Sequence, residues 1–135
     1  MTADKLKKRT KAFGLRVIRL TEALPKSKTS EVLGRQLLRS GTSVGANYRA
    51  ACRAKSRADF AAKMKIVEEE CDESIYWMEL LIESGKVRTG LLEDLIKEGN
   101  EILSVVVASV KTARTAAGSR NQDSIVNRQS AIVNR

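Results

Sequence analysis

Six cations stand close together at Arg49, Arg53, Lys55, Arg57, Lys63 and Lys65. Clustered positive charge suits one chemistry, the neutralising of nucleic-acid phosphates, and that chemistry needs no catalytic geometry. Arg49 and Arg53 are four residues apart and share a face if the segment is helical. Arg57 and Lys63 follow across a short break and enlarge the patch. The plain alternative is a row of solvated bases. An acidic run, Glu68-Glu69-Glu70-Cys71-Asp72-Glu73, comes next. Paired carboxylates could hold a divalent metal for nuclease chemistry. On a helix, however, only Glu69 with Asp72 or Glu73, or Glu70 with Glu73, share a face. A solvated or salt-bridged surface is the expected reading.

Other chemistries lack their parts. The chain has no His, so Ser-His and Cys-His activation of a nucleophile are absent. Two Cys without His do not compose a structural zinc site. Cys52 and Cys71 fall at apolar helix positions, and buried reduced thiols are expected rather than a disulfide. No Gly-rich phosphate loop or Gly-Lys-Ser/Thr motif occurs. The expectation is a protein that is not an enzyme and needs no cofactor or metal. Tyr48, Tyr76 and Trp77 are expected in packing, which leaves no platform for stacking bases.

The net charge of +9 on 135 residues is unevenly placed. Residues 1–65 hold seventeen Lys and Arg against four acids, and residues 66–110 hold three against eleven. A basic half attracts a polyanion such as RNA. It also attracts the acidic half of another copy. No apolar run has membrane-spanning length, and no apolar stretch follows the basic N-terminus as in a signal peptide. Cytoplasmic residence is the default expectation.

The elements that position these residues read as helices, because apolar residues recur at three- and four-residue steps. A first helix is expected from about Asp4 to Leu24, with Leu6, Phe13, Val17, Leu20 and Leu24 as its stripe, ended by Pro25. A second begins near Ser30, with Thr29 or Ser30 as N-cap. Gly41 and Gly45 interrupt it. Either the helix persists, with small residues admitting a neighbouring backbone, or the glycines form a turn. The continuous helix is preferred, because Leu37, Val44, Tyr48 and Ala51 or Cys52 keep to one side. A third helix starts at Ser56, with Asp59 in a weak capping box. It carries Phe60, Met64, Val67, Cys71, Ser74 or Ile75, Met78 and Leu81 or Ile82 to a stop at Gly85. A fourth runs from about Leu91 to Ala113. Asn47 and Glu73, polar residues on apolar faces, are expected to fix the register of helices two and three; a ligand site is the lesser alternative.

Residues 1–114 are therefore expected to form one all-α four-helix bundle. Residues 115–135 are expected to be a disordered or weakly helical tail, in which Ser124-Ile125-Val126-Asn127-Arg128 recurs almost unchanged as Ala131-Ile132-Val133-Asn134-Arg135. Helices three and four carry more apolar residues than one buried stripe needs. Ile66, Tyr76, Trp77 and Leu80 are accordingly expected at an oligomer interface. If Trp77 instead completes the monomer core, the chain stays monomeric.

Several motifs occur together in order. They are Leu38-Arg39-Ser40-Gly41-Thr42-Ser43-Val44-Gly45-Ala46-Asn47-Tyr48-Arg49, Arg53-Ala54, Ser56, Ala58-Asp59-Phe60, Glu73, Tyr76-Trp77 and Glu79-Leu80-Leu81-Ile82-Glu83-Ser84-Gly85. With them, residues 10–110 closely resemble the four helix bundle protein family, which includes proteins encoded in intervening sequences of bacterial 23S ribosomal RNA genes. The resemblance implies an up-and-down antiparallel four-helix bundle assembled as a homopentameric ring. Accessory proteins of diversity-generating retroelements look like relatives. They imply binding to nucleic acid, here ribosomal or other structured RNA, and to a protein partner through basic surfaces. The chain departs from the family pattern at Ala50, where Glu is common, and at Glu69, where Lys is usual. The first change removes an acid from the basic patch.

Overall fold

A computed structural model describes residues 1–123, with side chains as far as Ala116. Its elements are α1 (Ala3–Glu22), α2 (Lys28–Ala51), α3 (Arg57–Glu83) and α4 (Thr89–Asp123), with no strand among the described residues. Each of the first three helices begins at a hydroxyl cap. Thr2 Oγ1 accepts from the Lys5 N–H at 3.1 Å, Ser27 Oγ from Ser30 at 3.1 Å and Ser56 Oγ from Asp59 at 3.0 Å. The α2 cap is Ser27, not Thr29 or Ser30. Every hydroxyl in Ser27-Lys28-Thr29-Ser30 can cap, and apolar periodicity does not choose among them. At α3, the Asp59 carboxylate reaches back to the Lys55 N–H at 3.0 Å, one residue before the expected capping-box partner.

The end of α3 is a Schellman closure. Gly85 takes φ +80°, its N–H donates to the Ile82 carbonyl at 3.0 Å, and the Lys86 N–H donates to Leu81 at 3.1 Å. The positive φ is why glycine stands here. Helix α4 continues to Asp123, ten residues past the end that apolar periodicity indicates. Ala113 is the last buried residue of its stripe, and beyond it Arg114, Ala116 and Ala117 are residues that favour helix. The repeated segment at 124–135 lies outside the described residues.

The chain rises and falls through four antiparallel helices. Helix α1 packs on α2, α2 on α3 and α3 on α4, while α1 and α4 touch far less. The expected seams are the core, except that Leu20 and Leu24 at the end of the first stripe are only half-buried. Leu6, Phe13 and Val17 meet Leu37, Val44 and Tyr48, then Phe60, Met64, Val67, Cys71, Ile75, Met78 and Leu81, then Leu92, Leu95, Ile102, Val106 and Val110, all buried. At about 1.5–3 kcal/mol for each fully buried large apolar side chain, this column dominates the stabilisation.

Helix α2 is continuous through both glycines. A Cβ on Gly41 would lie 2.8 Å from Val17 Cγ2, and one on Gly45 would lie 3.4 Å from the Thr10 carbonyl. Gly14 faces Gly41 and Thr42 in the same way, with 3.7 Å to the Gly41 oxygen. The small residues let α1 and α2 run close together.

Candidate nucleic-acid interface

Close approach at Gly14 and Gly45 leaves an open groove along the outer side of the α1/α2 pair. Thr10, Gly14, Gly45 and Ala46 line it together with Leu15, Ile18 and Thr42, and Lys7, Lys8, Lys11 and Arg49 rim it. The four cations are exposed, and no carboxylate lines the groove. Among the described residues none of the four forms an ion pair. Lys7 and Lys11 share one face of α1 because they are a turn apart. Arg49 faces them because the antiparallel crossing sets Thr10 against Gly45.

Other cations are already committed. Arg9 bridges α1 to α4 through Glu98 at 2.6 Å and Glu101 at 2.5 Å. These carboxylates, Glu98 foremost, raise its guanidinium further above the ordinary value, against a smaller opposing effect of burial. Arg39 spans α2 and α3 to Glu70 at 3.2 Å and Glu73 at 2.5 Å. Glu73 also accepts from the Trp77 indole N–H at 3.0 Å. Trp77 first, then Arg39, holds this carboxyl below its usual range.

Of the residues that the sequence nominates, Arg49 joins the groove. Arg53 and Lys55 are exposed just beyond the end of α2. Arg57 is half-buried and lines a separate depression with Met1, Phe60, Val105 and Ala113, on the α3/α4 side. Lys63 is ion-paired with Asp59 at 2.7 Å, and Lys65 with Glu68 at 3.3 Å. Lys63 and the Lys55 N–H together hold the Asp59 carboxyl below its usual range.

The apolar surplus divides. Ile66 and Tyr76 are exposed on α3, at 44% and 51%. Leu80 is half-buried, and Trp77 packs partly against the core while meeting the Tyr76 ring edge-on at 5.2 Å. Glu73 does link α2 to α3. Asn47 does not, since its amide donates to the Ser43 carbonyl of its own helix at 2.8 Å. Cys52 and Cys71 are free thiols. The Cys71 Sγ donates to the Gly99 carbonyl at 3.3 Å, and burial, helped by Asp72 and Glu98, pushes this thiol up to about 12. Among the described residues no group of three or more His, Cys, Asp or Glu is placed to hold a metal ion. No helix among them is long and apolar enough to cross a membrane.

The sequence profile of the 23S rRNA-intervening sequence protein family matches residues 4–108. The chain belongs to that family. Among solved structures, it resembles a protein of unknown function from the S23 ribosomal protein family of Bacteroides thetaiotaomicron. The TM-score is 0.76 and the identity 35%, over 82% of this chain and 99% of that one. Comparison with curated proteins gives no match.

Family membership thus fits the fold and the motif-bearing α2–α3 segment. The amino-acid sequence puts Lys7, Lys8 and Lys11 within the first helix but does not mark them as site residues. The missing signal was the crossing. Only once Gly14, Gly41 and Gly45 are recognised as facing across α1/α2 do these lysines come beside Arg49.

Proposed function

We propose that this protein is a non-enzymatic, oligomeric RNA-binding protein that engages structured RNA through the basic α1/α2 side of the bundle. The observation that carries this reading is the groove rimmed by Lys7, Lys8, Lys11 and Arg49 with no acid in its lining. Arg53 and Lys55 extend the positive surface beyond the end of α2. Membership of a family described by its place in 23S rRNA genes agrees with an RNA ligand. A cytoplasmic, bacterial setting follows from the same reading.

Assembly is the second half of the proposal. Ile66 and Tyr76, with Trp77 and Leu80 beside them, offer an apolar face on α3 suited to a second copy. A closed homo-oligomer, a pentamer by family resemblance, is expected. The competing reading is an assembly subunit that docks a protein on that α3 face and binds no nucleic acid.

A mobility shift with fragments of structured ribosomal RNA tests the RNA claim. The affinity should fall steeply with salt, by roughly 10²-fold or more between 50 and 200 mM, for four to six phosphate contacts. Absent or salt-insensitive binding sinks it, and retention of a salt-dependent oligomer would then favour the assembly reading. Light scattering at micromolar concentration tests the oligomer, and a monomer mass in moderate salt removes that half.

A further inference from the structure

The geometry points to the sugar-phosphate backbone of double-helical RNA, rather than unpaired bases, as the ligand of the α1/α2 groove. This rests on the RNA-binding reading above and narrows it. Three features of the groove carry the step.

First, its positive charges are uncommitted. Arg9, Arg39, Lys63 and Lys65 each have a carboxylate partner. Lys7, Lys8, Lys11 and Arg49 have none among the described residues, and they lie along both walls of one shallow channel. Three of the four are lysines, point charges without the planar fork of a guanidinium, and such a row suits phosphates more than base edges.

Second, no aromatic ring is within the lining. Phe13, Tyr48 and Phe60 are buried in the core, while Tyr76 and Trp77 are on α3. Recognition of single-stranded RNA relies on stacking splayed bases against aromatic side chains, and this groove has none to offer.

Third, its hydroxyl protons are already donated. Thr42 Oγ1 donates to the Leu38 carbonyl at 2.7 Å and Thr10 Oγ1 to the Leu6 carbonyl at 2.9 Å. The remaining lining is Gly14, Gly45, Ala46, Leu15 and Ile18, which carries no side-chain donor or acceptor to read base edges. What remains is an apolar floor for ribose faces and cationic walls for phosphates. A regular duplex presents both without unstacking.

Fluorescence anisotropy with labelled RNA of about 16 base pairs, the span of a typical duplex-binding module, tests this. Two duplexes of unrelated sequence should bind within about twofold of each other, and about tenfold tighter than either single strand, as backbone recognition requires. The log–log salt slope should be roughly −3 to −4 for four phosphate contacts. Lys11→Glu, and Arg49→Gln on the facing helix, should each weaken duplex binding severalfold while leaving the helical circular-dichroism signal intact. Single strands that bind as tightly as duplexes, or a tenfold preference between duplex sequences, overturn the inference and leave the RNA-binding reading standing. A DNA duplex of the same sequence that binds tenfold tighter overturns the assignment to RNA. If no nucleic acid binds, both fall together.

Discussion

Helix α2 is held to its two neighbours by opposite means. Against α1 it offers absences: Gly41 and Gly45, where a Cβ would press on Val17 and Thr10, and against the connection after α1 it offers Gly34, where a Cβ would press on Leu24. Among the described residues no side-chain hydrogen bond or ion pair spans the α1/α2 crossing. Against α3 it offers polar groups. Ser74 Oγ donates to Ser40 Oγ at 3.0 Å in the buried seam, and outside it Arg39 grips Glu70 and Glu73. The first seam is specified by shape, the second by directional bonds. A shape-specified seam has little tolerance for added volume, whereas single hydrogen bonds are worth only about 0.5–1.5 kcal/mol each. The glycine seam is also what opens the cationic groove. Stability and the proposed site therefore depend on the same missing side chains.

The largest expected effect follows directly. Gly41→Leu places a side chain where even a Cβ would meet the branched Val17 at 2.8 Å, and Val17 has few rotamers with which to yield. Overpacking should cost about 3 kcal/mol or prevent folding. Gly45→Leu should cost less, about 1–2 kcal/mol, because its nearest contacts are at 3.3–3.4 Å. It should also deform the groove. Thermal melts followed by circular dichroism check the order. Equal melting temperatures for Gly45→Leu and the parent would remove the shape argument.

The polar seam should respond more mildly. Ser74→Ala removes one buried hydrogen bond to Ser40, whose hydroxyl keeps a 3.4 Å contact with the Leu37 carbonyl. A loss of about 1 kcal/mol is expected. The Ser40→Ala/Ser74→Ala double variant should lose no more than the worse single variant, since neither hydroxyl is then left alone. Strict additivity in urea melts would mean that the two seams do not differ in kind.

The contrast also explains what was legible in the sequence. Apolar steps of three and four exposed every helix and nearly the whole core. The third helix is the clearest case, with Phe60, Met64, Val67, Cys71 and Met78 all buried as the period requires. The continuity of α2 was legible because Leu37, Val44 and Tyr48 keep their face through the glycines. Pairings between helices were not. Nothing in the sequence sets Arg9 beside Glu98, or brings Lys7, Lys8 and Lys11 to one groove with Arg49, because each depends on crossing geometry between distant segments. Local periodicity also did not separate Asn47, which bonds within its own helix, from Glu73, which bonds across to α2. The Asp59–Lys63 pair is different: its four-residue spacing on one helix is a local signal that the sequence does carry.

The sparse α1/α4 side gives an intermediate case, since its polar tie is the Arg9 cluster. Arg9 is about a quarter exposed and Glu101 about half, so screening by water limits the gain. Arg9→Met keeps much of the apolar stem and should destabilise by about 0.5–1 kcal/mol. The difference should shrink as salt is raised from about 0.05 to 1 M, where the Debye length falls to about 3 Å. A deficit that is unchanged at high salt would mean that packing of the Arg9 stem, not charge, ties α1 to α4.

The smallest effect concerns the outer, charged layer of the α2/α3 seam. Trp77 and Arg39 hold the Glu73 carboxyl below its ordinary range in the folded protein. A carboxyl lowered on folding stabilises the protein at any pH above its unfolded value, near about 4.3, and that stabilisation is lost as pH falls through the folded value. Glu73→Gln keeps an oxygen for the indole N–H but removes the charge that Arg39 meets. At neutral pH the variant should melt slightly earlier, by at most about 0.5 kcal/mol, because Glu73 and Arg39 are more than a third exposed. Between about pH 5 and pH 3 the gap to the parent should close, since protonation makes the parent carboxyl neutral as well. The remaining carboxylates are common to both proteins and cancel in the difference. A gap that stays constant across that range would assign the effect to shape rather than charge. A loss at neutral pH as large as that of Ser74→Ala would put the specificity of this seam in its exposed ion pairs, not in its buried hydroxyls.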